Sequence, residues 1–215
     1  MIKSKLISQF SLNLSLKNID NEDEEEKLIS NVENSKALSI PNDFHYLNET
    51  EITPDMFKIE KSIGKGAFGK VFLVTMKTTG KQYAMKVLNK KEIIKNRLIR
   101  YAVTEKNVVT KIEHPFIVRC YFSFQTKDML YMILEYCPNG NLGDLLDNVN
   151  NLSEDHTKMY AAEILLALEE LHKHDIIYRD LKPDNIVIDE EGHAKLTDFG
   201  LSKEGVRDDK ITMSF

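Results

Sequence analysis

Residues 178–185 read Tyr178-Arg179-Asp180-Leu181-Lys182-Pro183-Asp184-Asn185, and thirteen residues beyond Asn185 the chain reads Asp198-Phe199-Gly200. A carboxylate, a cation and an amide thus fall within six residues, and a second carboxylate follows on a glycine hinge. Phosphoryl transfer calls for such a set: a carboxylate to orient the acceptor hydroxyl and take its proton, cations to neutralise phosphate, and hard oxygens for magnesium. Either run alone could be a charged surface loop, so what surrounds them decides.

Upstream, Gly64-Lys65-Gly66-Ala67-Phe68-Gly69-Lys70-Val71 sets three glycines in a turn between two β-rich runs. Without side chains, backbone N–H groups can approach phosphate oxygens closely. By itself this is a plain turn or a dinucleotide fingerprint, although a strand rather than a helix follows it, which argues against the dinucleotide. Next, Tyr83-Ala84-Met85-Lys86-Val87 places a lysine within an apolar strand. An unpaired buried ammonium costs several kcal/mol, so Lys86 either snorkels to water or meets an anion. Glu105, on a run of helical spacing over 90–112, is the candidate anion. With YRDLKPDN and DFG downstream, the paired reading prevails.

The rest of the chain frames these motifs. Three β-rich runs, Phe57 to Ile63, Val71 to Met76 and Gln82 to Leu88, are separated by turn signals, and two more strands are predicted at 117–124 and 129–135. After Asn141 the pattern turns helical, with Tyr160, Ala161, Ile164, Leu165, Leu168 and Leu171 repeating at three and four. The predicted class is α+β: a sheet-rich lobe over 57–134 with one helix across it, a hinge at 135–140, and the first part of a helical lobe over 141–215. Residues 1–56 carry 5 Lys/Arg against 11 Asp/Glu, including an acidic block at 22–26, and read as a largely disordered segment. That segment accounts for the net charge of −5. The remainder is nearly neutral and lacks the basic footprint of a nucleic-acid binder. No apolar run is long enough to span a membrane. The two cysteines, Cys120 and Cys137, lie in apolar or aromatic runs without a signal peptide ahead of them, so an intracellular, cytoplasmic setting is expected.

GKGAFGKV, YAMKV, HPFIV, YRDLKPDN and TDFGLSK together resemble the AGC group of eukaryotic serine/threonine protein kinases, in particular its protein kinase B-like members. The resemblance covers residues 57–215 and implies ATP and Mg2+ as cofactors and a protein as substrate. It implies that Lys86 holds the α- and β-phosphates and pairs with Glu105. Asp180 is then the catalytic carboxylate, Lys182 a γ-phosphate contact, and Asn185 and Asp198 the magnesium ligands. Gly64, Lys65, Gly66, Ala67, Phe68 and Gly69 would cover the phosphates. Ile63, Val71, Ala84, Leu142 and Val187 would sandwich the adenine, Leu134 would form the back wall, and the Glu135 carbonyl and Cys137 amide would bond the adenine edge. Val109, Cys120, Tyr178 and Phe199 would form an apolar column between the lobes. Ser214 stands where an upstream kinase phosphorylates the group's activation loop, within reach of Arg179 and Lys203.

Two departures qualify this. Asn141 stands where many AGC kinases carry a glutamate that contacts ribose and a substrate arginine, which weakens an expected preference for basic peptides, although Asp184 remains acidic. The sequence given also ends at Phe215, inside the activation loop. Without the helices that follow in the group, the Tyr160/Ile164/Leu165/Leu168 face is expected to lie open. Each such side chain forgoes roughly 1.5–3 kcal/mol of burial, so little phosphoryl transfer is expected from these 215 residues alone. A non-catalytic nucleotide- or partner-binding module is the alternative.

Overall fold

The computed structural model describes residues 52–65, 69–149 and 151–205. Most of the acidic segment expected over 1–56, the phosphate-loop residues Gly66, Ala67 and Phe68, and Ser214 therefore lie outside the described residues. The segment's end is already ordered. Pro54–Met56 form a 3-10 turn, and Lys77 N–H donates to the Met56 carbonyl at 2.9 Å, fastening the turn to the sheet before residue 57.

Five antiparallel strands form one sheet: β1 (Phe57–Lys65), β2 (Gly69–Met76), β3 (Gln82–Asn89), β4 (Cys120–Gln125) and β5 (Met129–Leu134), in the order β1-β2-β3-β5-β4. Strand alternation divides β3 between two cores. Tyr83 and Met85 join Phe57, Val74, Met76 and Ile133 on the outer face, whereas Ala84 and Leu88 join the main core. Lys86 has the same parity as Ala84 and Leu88. The side chain of this one lysine is thereby aimed at the inner face.

The predicted helix over 90–112 resolves into two, α1 (Lys90–Lys95) and α2 (Ile99–Lys111). Asn89 caps α1 by accepting from the Lys91 and Glu92 amides, and the chain then turns through Arg97 at φ 56°. The run from Ile117 to Phe124 is likewise shorter as a strand than predicted, because β4 begins at Cys120. Val118 N–H donates to the Leu196 carbonyl and Leu196 N–H to the Phe116 carbonyl, both at 2.9 Å. The Val118 amide and the Phe116 carbonyl are thus taken by the helical lobe, not by β5.

That lobe holds α3 (Leu142–Asn148), α4 (Glu154–Lys173), the pair β6 (Ile176–Ile177) with β9 (Lys203–Glu204), and the hairpin β7 (Ile186–Ile188) with β8 (Ala194–Leu196). Ser153 caps α4 by accepting from His156 N–H. The open face expected on α4 is only partly open. Tyr160 is buried and Ile164 and Leu168 pack half-buried against the core, while Leu165 is 67% exposed. A buried carboxylate completes the inner face: Glu163 Oε1 pairs with His193 Nδ1 at 2.6 Å, and Oε2 accepts from Ala194 N–H at 2.8 Å. Among the described residues, no helix is long and apolar enough to cross a membrane.

Two outcomes follow. A Cβ on Gly69 would lie 2.3 Å from the Val87 carbonyl oxygen and 2.6 Å from Leu88, so Gly69→Ala should destabilise the sheet by about 1–3 kcal/mol, read by denaturant melts. The hydrogen bond to Glu163 raises the His193 pKa above its ordinary value. The stabilisation from that charge is full below the ordinary pKa and is lost as pH rises through the raised one. The melting-temperature gap between the parent and His193→Ala should therefore be widest below the ordinary histidine pKa and narrow as pH rises above it.

Candidate active site

β3, α2 and the start of the Asp198-Phe199-Gly200 run converge on one cluster of charge. Lys86 Nζ pairs with Glu105 Oε1 and lies 3.6 Å from Asp198 Oδ1. Glu105 is only 2% exposed, and its Oε2 is buried without a hydrogen-bond partner among the described residues. Burial works against the Lys86 charge, but Glu105 and Asp198 outweigh it and hold its pKa above the ordinary lysine value. Burial likewise pushes the Glu105 carboxyl up, with Lys86 opposing. An ammonium held charged attracts phosphate.

A second cluster lies on the loop between β6 and β7. Asp180 is bridged by Lys182, whose Nζ stands 3.0 Å from Oδ2. Asn185 Nδ2 donates to the Asp180 carbonyl at 3.0 Å and to Oδ2 at 2.7 Å. Asn185 is buried in a 3-10 turn started by Pro183, and its carbonyl accepts from Thr197 N–H at 3.0 Å. This bond ties the turn to Asp198, the next residue. Arg179 and Asp198 both have left-handed backbones, at φ 65° and 59°. For residues other than glycine that conformation persists only where the surroundings impose it. Arg179 is held by donating from Nε to the Leu201 carbonyl at 2.7 Å.

Of the residues expected around an adenine, Ala84, Leu134 and Leu142 are buried in the main core, and Val71, Val187 and Cys137 pack against it. Ile63 stands apart, 40% exposed on β1. Gly64 sits opposite Val71 in the β1/β2 register, and Lys65 opposite Lys70. Val109, Tyr178 and Phe199 of the expected column are buried in that same core with Cys120 against it, and the Tyr178 and Phe199 rings meet edge to face at 5.4 Å.

Three features escaped the sequence reading. Asn141, considered for its side chain toward substrate, caps α3: Oδ1 accepts from Asp144 N–H at 2.8 Å and Nδ2 donates to Asp144 Oδ2 at 2.7 Å. Glu135, considered for its backbone, pairs through its side chain with Lys195 of β8 at 2.7 Å. Tyr101 of α2 donates its hydroxyl to Asp198 Oδ1 at 2.6 Å. Tyr101 precedes Glu105 by one helical turn, and that spacing was the available signal.

Among the described residues, no group of three or more His, Cys, Asp or Glu could hold a metal ion. Asn185 and Asp198 offer an amide oxygen and a carboxylate instead. So sparse an oxygen set suits Mg2+, which keeps several waters and takes further ligands from phosphate.

The fold joins a sheet-rich lobe that carries the lysine–glutamate pair to a helical lobe that carries the Asp-Lys-Asn loop. The family model described as "Protein kinase domain" matches residues 57–215, and the chain belongs to that family. It is 51% identical over 156 residues to "Protein kinase 3" of Dictyostelium discoideum, covering 73% of this chain and 17% of that protein. It is 49% identical to the "RAC family serine/threonine-protein kinase homolog" of the same organism, over 70% of this chain and 34% of that protein. To the "RAC-beta serine/threonine-protein kinase" of Rattus norvegicus it is 42% identical, over 86% of this chain and 36% of that protein. The chain thus spans about a third or less of the length of these relatives.

Burial pushes both thiols up to about 12, Cys120 packed against the main core and Cys137 in the 135–140 connection. Neither should react with iodoacetamide at neutral pH in the folded chain, and both should be alkylated after denaturation, as counted by mass spectrometry.

Proposed function

We propose that residues 57–215 carry the ATP-binding and phosphoryl-transfer machinery of a serine/threonine protein kinase, acting on Ser and Thr hydroxyls of proteins. The observation that carries this reading is the placing of Lys86, Glu105 and Asp198 in one network beside the Asp180–Lys182–Asn185 loop. Lys86 would bind the α- and β-phosphates, its orientation fixed by Glu105. Val71, Ala84, Leu142 and Val187, with Ile63 at the rim and Leu134 behind, would enclose the adenine, and Glu135 and Cys137 would meet its edge through the backbone. Gly64 to Gly69 would lie over the phosphates.

Asp180 would accept a hydrogen bond from the substrate hydroxyl and take its proton as the oxygen attacks the γ-phosphorus. The new bond is oxygen to γ-phosphorus, the bond broken runs from that phosphorus to the β–γ bridging oxygen, and ADP departs. Lys182, released from Asp180 toward the γ-phosphate, would offset charge on the transferred group. Asn185 and Asp198 would hold Mg2+, which when bound supplies positive charge against the phosphate oxygens.

Asp184 would favour a basic substrate residue, weakly, because Asn141 supplies no charge. An upstream kinase acting on Ser214, and an intracellular, cytoplasmic setting where ATP is at hand, belong to the same reading.

The test is binding and transfer measured side by side. Lys86→Met should weaken fluorescent ATP-analogue binding at least tenfold. Asp180→Asn should leave that binding near the parent value and lower transfer from radiolabelled ATP to a mixed protein substrate by about 10²–10⁴-fold. Because these 215 residues alone are expected to transfer little, transfer is read over long incubations, and nucleotide binding that needs no Mg2+ would favour the binding-module alternative. Binding indifferent to Lys86→Met would defeat the proposal.

A further inference from the structure

α2 reaches the Asp198 loop twice. Glu105 holds Lys86, which lies 3.6 Å from Asp198 Oδ1, and one turn earlier Tyr101 donates to that same oxygen at 2.6 Å. The tyrosine ring is also seated on Gly200. A Cβ built there would fall 2.0 Å from Tyr101 Cζ and 2.2 Å from both Cε atoms, far inside contact distance. Only glycine admits the ring.

Asp198 has two reasons to need such a grip. Its backbone is left-handed, at φ 59°, a conformation that a non-glycine residue keeps only when neighbours hold it. Its carboxylate can also turn about its own axis, and a donor fixed on Oδ1 sets which oxygen faces the cleft. Groups that bond a metal's ligand from behind fix its orientation in this way.

We infer that Tyr101 is a positioning residue that sets the Asp198 carboxylate for magnesium, coupling the seat of α2 to the cation site. The inference rests on the kinase reading above. It makes α2 responsible for both halves of the site: displacing the helix removes Glu105 from Lys86 and Tyr101 from Asp198 together.

The experiment uses the 215-residue chain and measures fluorescent ATP-analogue binding with and without Mg2+. Tyr101→Phe keeps the ring and removes only the donor. It should raise the Mg2+ concentration for half-maximal enhancement of binding about tenfold while leaving Mg2+-free binding within about twofold of the parent. Gly200→Ala, which expels the ring, should shift the Mg2+ requirement in the same direction. Hydrogen exchange of the nucleotide-free chain gives a second readout, with amides of 199–202 exchanging faster in Tyr101→Phe than in the parent. An unchanged Mg2+ requirement in Tyr101→Phe overturns the inference, and so does a lowered one, which would mean that the hydroxyl competes with the cation. Equal losses with and without Mg2+ also overturn it, since they place the effect on the pocket as a whole. A parent that binds nucleotide with no response to Mg2+ overturns both this inference and the functional reading.

Discussion

The structure turns on one buried ion pair. Strand parity in β3 leaves Lys86 on the inner face among Ala84 and Leu88, where an ammonium without a partner would cost several kcal/mol. Glu105 answers it from α2, and to do so the helix must cross the sheet at one height and one rotation. The same rotation buries Ala102, Val108 and Val109. Apolar packing and charge pairing therefore specify a single seat for α2. The pair adds little net stability by itself, but loss of either member would strand the other's charge in the core.

The inward face of Lys86 and the sheet that presents it were legible in the sequence because both follow from short-range rules, whereas Glu105 was chosen as its partner only through the downstream motifs. Alternation fixes which side chains of β3 face inward, and glycines and turn residues mark where each strand ends. The Asp180–Asn185 turn was legible for a similar reason: its members are neighbours in sequence, and Pro183 fixes the backbone between them. Residue roles toward ATP and Mg2+ came from resemblance, and they stand here as proposals.

Partners chosen by tertiary geometry were not legible. Nothing local to Glu135 announces Lys195, sixty residues away, and nothing near Ile117 announces that its neighbours will bond Leu196 in place of continuing β4. Asn141 shows the opposite failure. Its local signal as a helix cap, a side-chain acceptor three residues before an aspartate, was plain, and attention to substrate contacts passed over it. Helical spacing on α4 gave the right element and most of its inward face, since Tyr160 and Leu171 are buried and Ile164 and Leu168 pack against the core, but Glu163 takes an inward position that an apolar pattern leaves blank.

The bonds between 116–118 and Leu196 carry a mechanical consequence. The sheet lobe meets the helical lobe through backbone at two places, this short parallel contact and the 135–140 connection, where Ile188 N–H donates to the Gly140 carbonyl at 2.8 Å, and through side chains of β3 and α2 that reach Asp198 and Glu204. A body held by one flexible strand can swing in any direction. Held at two points of backbone, the lobes resist shear and twist over one another, because either motion must break those hydrogen bonds.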